Sequence, residues 1–225
     1  MVDASAMRIA VLASGRGSNL LALIEAIAEG RVRALIAGVF SDRPACGAMM
    51  IAREHAIPAL ALKPSRFPSR LAFDEALFSQ VGHVQPDLIV CAGYMRLISE
   101  PVVLSVHARM INIHPSLLPR HPGLRTHARA LEAGDAEHGA SVHRVIAAVD
   151  AGSVIARVSV PVLADDNAES LAQRVLDREH PLLVACVKAI VEGDLELQPT
   201  ANSWKGTPLR EPLSLQADNT LERNP

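Results

Sequence analysis

Short, nearly unbroken apolar runs alternate along this chain with stretches whose apolar residues recur every three or four positions. Met7 to Ala13 (MRIAVLA), Ala34 to Phe40 and Asp87 to Ala92 (DLIVCA) have strand length and little alternation. That pattern predicts strands covered on both faces. Leu20 to Ala28 has helical spacing and is ended by Gly30; Pro44 to His55 also reads as helix, and Pro58 to Leu62 as a short strand. Over Pro68 to Val84, Phe73, Leu77 and Val81 fall at i, i+4 and i+8 and form one stripe. Strands separated by helices of this length predict right-handed βαβ units and a parallel sheet.

Met110 to Ile113 continues the series as a buried strand, and Thr126 to Ala133 as a short helix. Gly139 to Val149 and Ser153 to Val162 flank the turn Asp150-Ala151-Gly152, which predicts a hairpin and makes the sheet mixed. Ala168 to Val191 is the longest helical stretch. Asp165, Asp166 or Asn167 can cap it, and Pro181 inside it predicts a kink or a division. Leu195-Glu196-Leu197 and the segment around Trp204 suit a small hairpin, and Asp218 to Pro225 is expected to be disordered.

Composition narrows the class. With 225 residues, 49% of them hydrophobic, the chain can bury the core of one large domain. Aromatics are 3%, so that core must be aliphatic. A formal charge of −2 leaves no broad basic footprint for nucleic acid. Cys46, Cys91 and Cys186 are odd in number and lack any CxxC, which argues against structural zinc and a disulfide framework. No apolar run reaches the roughly 20 residues of a membrane helix. Met1 to Ala6 has no basic, apolar leader, and the expectation is a cytoplasmic protein.

Two stretches carry chemistry. Ser14-Gly15-Arg16-Gly17-Ser18-Asn19 links the first strand to its helix, an arrangement that offers backbone N–H groups and a positive helix end to an anion. Leu20 stands where a dinucleotide fingerprint has its third small residue, and no acidic residue closes the second strand at the usual distance. A phosphate monoester therefore suits the loop better than NAD, and a plain tight turn is the alternative. The second stretch is Asn112-Ile113-His114-Pro115, where strand alternation sets the amide and the imidazole on one face at a strand end. Asn can donate to a carbonyl oxygen and His can carry a proton near neutrality, as acyl transfer requires. A polar turn with a surface histidine would look the same in nine residues. Met95, Leu97 and Ile98 suit either core or a pocket for a flat heterocycle, and Asp150 either a functional loop or a plain turn. Five of the nine histidines lie between His114 and His143, but their spacing matches no metal-ligand set.

In order and spacing, Asn112-Ile113-His114-Pro115-Ser116-Leu117-Leu118-Pro119, then His138-Gly139-Ala140-Ser141-Val142-His143 and Asp150, resemble the phosphoribosylglycinamide formyltransferase family, folate-dependent enzymes of purine synthesis. The resemblance covers about Met7 to Trp204. It implies an α/β, Rossmann-like three-layer formyltransferase fold, mostly parallel, with a C-terminal antiparallel hairpin. As domains it implies one unit over 7–204, with a phosphate-binding half at 7–106, a catalytic and folate half at 107–204, and a partly disordered tail at 205–225. It implies Asn112, His114 and Asp150 as catalytic residues, and Gly17, Ser18, Asn19 and Glu179 as substrate-binding residues. Arg70, Met95, Arg96, Leu97, Ile98 and Asn112 are implied to bind folate. The implied ligands are 10-formyltetrahydrofolate as formyl donor and glycinamide ribonucleotide as acceptor, with no metal, no nucleic acid, no membrane, and room for a homodimer.

Two departures stand out. The turn Asp150-Ala151-Gly152-Ser153 lacks the family's usual second glycine and proline, and Pro181 follows Glu179-His180 directly. Among relatives using the same trio, a formyltetrahydrofolate hydrolase is expected to carry a regulatory domain ahead of the glycine loop. A methionyl-tRNA formyltransferase is expected to carry a basic domain after the catalytic one.

Overall fold

The computed structural model describes residues 6–106, 109–198 and 201–223. The chain divides into two compact units, Met1–Asn112 and Ile113–Pro225, so the boundary falls inside a strand. The sequence division at 106/107 lies earlier; Met110 to Asn112 belong with the first unit because they pair with the strand Leu88–Cys91.

In the first unit the apolar runs form β1 (Met7–Leu12), β2 (Ala34–Ser41), β3 (Ala59–Ala61), β4 (Leu88–Cys91) and the opening of β5 (Met110–His114). They pair in parallel in the order β3-β2-β1-β4-β5. Ile9 to Leu12 and Leu88 to Cys91 are buried along their whole length, as strands covered on both faces must be. Connections are α1 (Ser18–Ala28), α2 (Gly47–Glu54), α3 (Arg70–His83) and α4 (Glu100–Val106). Two of these helices begin later than the sequence predicts: α2 starts three residues after Pro44, and α3 starts after its Ser69 cap, whose side chain accepts from Ala72 N–H at 3.1 Å. Helix α4 has no counterpart among the sequence expectations. It is only seven residues long, with Pro101 in its first turn, too brief for a periodic signal. The order reverses at β1 and β4, the place where such sheets bind ligands beyond the strands' carboxyl ends.

The second unit contains α5 (Thr126–Glu132), β6 (Glu137–Arg144), β7 (Val154–Pro161) and α6 (Ala168–Glu192). Strands β6 and β7 are the antiparallel hairpin, in register from Glu137↔Pro161, with a bulge between Val142 and His143. β6 stops at Arg144, whose N–H donates to Ser153 O at 3.0 Å, so the apolar residues up to Val149 run in a loop instead of the expected strand. Helix α6 packs on both strands and starts at a capping box, with Asn167 Oδ1 accepting from Glu169 and Ser170 N–H at 2.9 Å each. It runs undivided through Pro181, which leaves one backbone bond unmade in an otherwise complete helix.

Beyond it, β8 (Leu195–Leu197), β9 (Asn202–Trp204) and β10 (Thr207–Pro208) form a separate antiparallel sheet. Then β11 (Leu213–Leu215) lies parallel to β7, and β12 (Leu221–Glu222) pairs with β11. Buried Leu213, Leu215 and Leu221 explain why residues 218–223 are strand and turn rather than the disorder expected of them. Asn224 and Pro225 lie outside the described residues. Among the described residues no helix is long and apolar enough to cross a membrane.

The loop after β4 is fixed by a buried carboxylate. Asp74 of α3 accepts from Ser99 N–H at 2.7 Å and from Ser99 Oγ at 2.6 Å. Asp74→Ala strands that N–H without an acceptor, which costs about 1–3 kcal/mol. Chemical denaturation of the variant is expected to show that loss with an unchanged m-value; full stability would mean that the loop is held by its apolar contacts alone.

Candidate active site

The glycine loop opens directly from β1. Gly17 is the N-cap of α1 with φ +88, makes no side-chain cap, and the helix's first turn holds no acidic residue. The first-turn N–H groups at Ser18, Asn19 and Leu20 therefore have no intrahelical acceptor and form a positive helix end. Beside the loop lies an open cavity of about 700 Å³ between residues 14–16 and 42–47. Ser14 Oγ donates to Asp42 Oδ1 at 2.5 Å and accepts from Met95 N–H at 3.0 Å, while Ser14 N–H donates to Gly93 O at 2.9 Å. The loops after β1 and β4 are thus tied together at the strand-order reversal.

Within the loop after β4, the expected folate residues separate. Met95 and Leu97 are exposed at 57% and 47%, and Ile98 is buried at 8%. Ile98 is core; the other two are available apolar surface. The Arg96 guanidinium carbon lies 5.1 Å above the Phe73 ring, and Arg70 is exposed at the start of α3.

β5 delivers Asn112 and His114 from one strand, two residues apart. His114 is 7% exposed, and Nδ1 lies 3.4 Å from Asp150 Oδ2. Its Nε2 meets His121 O at 3.1 Å, which places a proton on Nε2. Asp150 sits in the left-handed region at φ +47, tolerable for a short polar side chain. Its carboxylate accepts from Gly123 N–H at 2.8 Å, and its other oxygen lies 3.5 Å from His143 Nε2. His143 Nδ1 in turn meets Arg144 O at 2.8 Å, so His143 is aimed by the bulge that precedes it. Gly152 completes the turn: a Cβ there would lie 1.8 Å from Arg144 O. In this turn Asp150 supplies the positive φ and Gly152 the close approach.

Charge and burial compete at this pair. Burial lowers the His114 pKa below its ordinary 6.5, against the carboxylate of Asp150 and the carbonyl of His121, which raise it; His143 and Arg129 lower it further. Burial opposes ionisation of Asp150, but His143, Gly123 N–H and His114 outweigh it and hold the carboxyl below its usual range. The resting pair is a neutral imidazole beside a carboxylate.

Three further groups were not legible as site residues. His143 shares a strand face with Ser141, a signal present in the sequence but unassigned. The His121 carbonyl and Gly123 N–H are backbone groups, for which no residue type speaks. Glu179 lies on the buried face of α6. Among the described residues no three His, Cys, Asp or Glu side chains are placed to hold one metal ion.

Asp150→Asn removes the charge that supports imidazolium, so the His114 midpoint is expected to fall further below 6.5. Proton NMR titration of the His114 ring reads this directly. An unchanged or higher midpoint would mean that the 3.4 Å approach carries no electrostatic coupling.

The formyl transferase family model matches residues 7–187. The chain is 39% identical over 212 residues to phosphoribosylglycinamide formyltransferase of Escherichia coli (strain K12), covering 94% of this chain and 100% of that protein. The phosphoribosylglycinamide formyltransferase of Coxiella burnetii, solved in complex with CHES, superposes with a TM-score of 0.87 at 39% identity, over 91% of this chain and 96% of that one. A formyltetrahydrofolate deformylase from Pseudomonas syringae pv. tomato str. DC3000 superposes with a TM-score of 0.80 at 26% identity, over 89% and 66%. With its parallel β3-β2-β1-β4-β5 sheet, the chain belongs to the formyl transferase family of enzymes, among the phosphoribosylglycinamide formyltransferases.

Proposed function

We propose that this chain transfers the formyl group of 10-formyltetrahydrofolate to the glycyl amine of glycinamide ribonucleotide, a step of purine biosynthesis. The observation that carries the reading is the His114–Asp150 pair, at 3.4 Å, at the end of the strand that bears Asn112. The amine attacks the formyl carbon, a C–N bond forms and the formyl oxygen becomes an oxyanion. The Asn112 amide donates to that oxygen. His114, neutral at rest, takes up the proton that the attacking nitrogen releases, and the imidazolium so formed stabilises the same oxygen, with Asp150 beside it to balance the charge. The same proton then passes from His114, with the help of Asp150, to N10 as the C–N10 bond breaks. Protons balance over the step, and no covalent enzyme intermediate is needed. The buried thiols suit this: burial pushes Cys91 up to about 12 and Cys186 higher still, so neither offers a thiolate near neutral pH.

The remaining roles follow the chemistry of each group. Gly17, Ser18 and Asn19 hold the ribonucleotide phosphate at the positive end of α1. Glu179 receives the glycyl amine. Met95 and Leu97 lay apolar surface against the pteridine, Ile98 anchors their loop in the core, and Arg70 and Arg96 supply cations to the folate.

In a formyl-transfer assay, deformylated folate is expected to appear only when glycinamide ribonucleotide is supplied. Release without the ribonucleotide would identify a hydrolase instead. Dialysis against a strong chelator is expected to leave turnover intact, since amide, imidazole and carboxylate meet the developing charge. Loss of activity restored by zinc would overturn the mechanism. Asp150→Asn is expected to lower kcat by at least about a hundredfold with both KM values little changed. Near-normal turnover would remove Asp150 from the chemistry.

A further inference from the structure

The catalytic pair is clamped from one short segment, residues 116–125, between β5 and α5. His121 O receives the His114 Nε2–H, and Gly123 N–H holds the Asp150 carboxylate at 2.8 Å. Both donor and acceptor sit on left-handed backbone, His121 at φ +52 and Gly123 at φ +80. For glycine that conformation is free; for histidine it is strained and must be held by something else.

The side chain of His121 supplies the hold. Its Nε2 lies 2.7 Å from Asp135 Oδ2, and Arg120 Nη1 lies 3.5 Å from the same oxygen. Asp135 follows α5 closely, with its N–H bonded to Ala130 O at 3.1 Å, so it is a fixed post. Arg129 of α5 adds a second tie, donating to Pro122 O at 2.5 Å. The His121 and Asp135 side chains are 12% and 16% exposed, sheltered enough for the contact to persist in salt. The proposed mechanism gives neither residue a contact with substrate.

We infer that His121 and Asp135 are positioning residues, a latch whose contact sets the backbone groups that orient His114 and Asp150. The inference rests on the proposed function for its kinetic readout and on geometry alone for its spectroscopic one. Misplacing a catalytic group by about 1 Å typically costs on the order of a hundredfold in rate. His121→Phe keeps the ring volume and removes the bond, and Asp135→Asn removes the charge while keeping the shape. Each is expected to lower kcat about ten- to a hundredfold, with both KM values within about twofold of the parent and the thermal midpoint largely kept. His121→Gln, which retains a side-chain donor, is expected to recover most of the rate.

The ring of His114 is the second readout. It faces Asp150, His143, Arg129, His127 and the His121 carbonyl. Releasing that carbonyl in His121→Phe, or in Asp135→Asn should the first variant not fold, is expected to lower the His114 NMR midpoint. A folded variant with parental kcat and an unmoved His114 midpoint would overturn the inference. So would a fall in kcat and thermal midpoint together with a rise in KM and no rescue by His121→Gln, the mark of a merely structural role. If the parent protein transfers no formyl group, the proposed function fails, and the His114 midpoint alone decides the latch.

Discussion

A carboxylate taken partly out of water has to be met by donors, and much of the second unit is arranged to meet Asp150. Gly123 N–H bonds one oxygen, His143 approaches the other, and His114 stands against the first. Each of those groups has its own support: a bulge aims His143, strand β5 delivers His114, and the turn at Gly152 brings Asp150 back within reach. Ser141 reinforces the arrangement from β6, donating to Ser116 O at 2.7 Å and accepting from Leu118 N–H at 3.1 Å. The chain leaving β5 is thereby pinned to the hairpin before it reaches His121.

The balance at His114 shows why such support matters. Burial alone favours the neutral ring, whereas the facing carboxylate and carbonyl favour the cation, and burial prevails at rest. In the proposed reaction, a base that is neutral at rest and readily charged beside a new anion suits an oxyanion that exists for a short time. A fully solvated histidine would take up protons without regard to the substrate. One buried without Asp150 would resist them throughout.

Much of this was readable from residues, and the rest was not for identifiable reasons. Strands β1, β2 and β4 declare themselves because burial on both faces demands continuous apolar runs. Asn112, His114 and Asp150 draw attention in the sequence because their chemistry is in their side chains and their spacing is distinctive, and the structure sets His114 beside Asp150. The loop at 145–149 misled because its apolar residues imitate a strand that the bulge and the Arg144–Ser153 bond bring to an end. β11 and β12 escaped notice because three and two residues carry no periodicity, and only the tertiary burial of their leucines reveals them. Gly123 and the His121 carbonyl act through the main chain, which every residue possesses.

The glycine loop carries a constraint of another kind. A Cβ on Gly17 would lie 2.7 Å from the Ala48 Cα, and one on Gly47 would lie 2.4 Å from the Arg16 carbonyl oxygen. Each glycine makes room for the backbone beside the other, so loop and helix α2 interlock without side chains. A mutational scan would find both positions intolerant and would tempt the reader to count both as ligand contacts. The intolerance begins with the packing of two main chains, and no compensating exchange of side chains can relieve it. Sequence variation at these two sites is therefore a record of sterics first, and it says nothing on its own about what the loop binds.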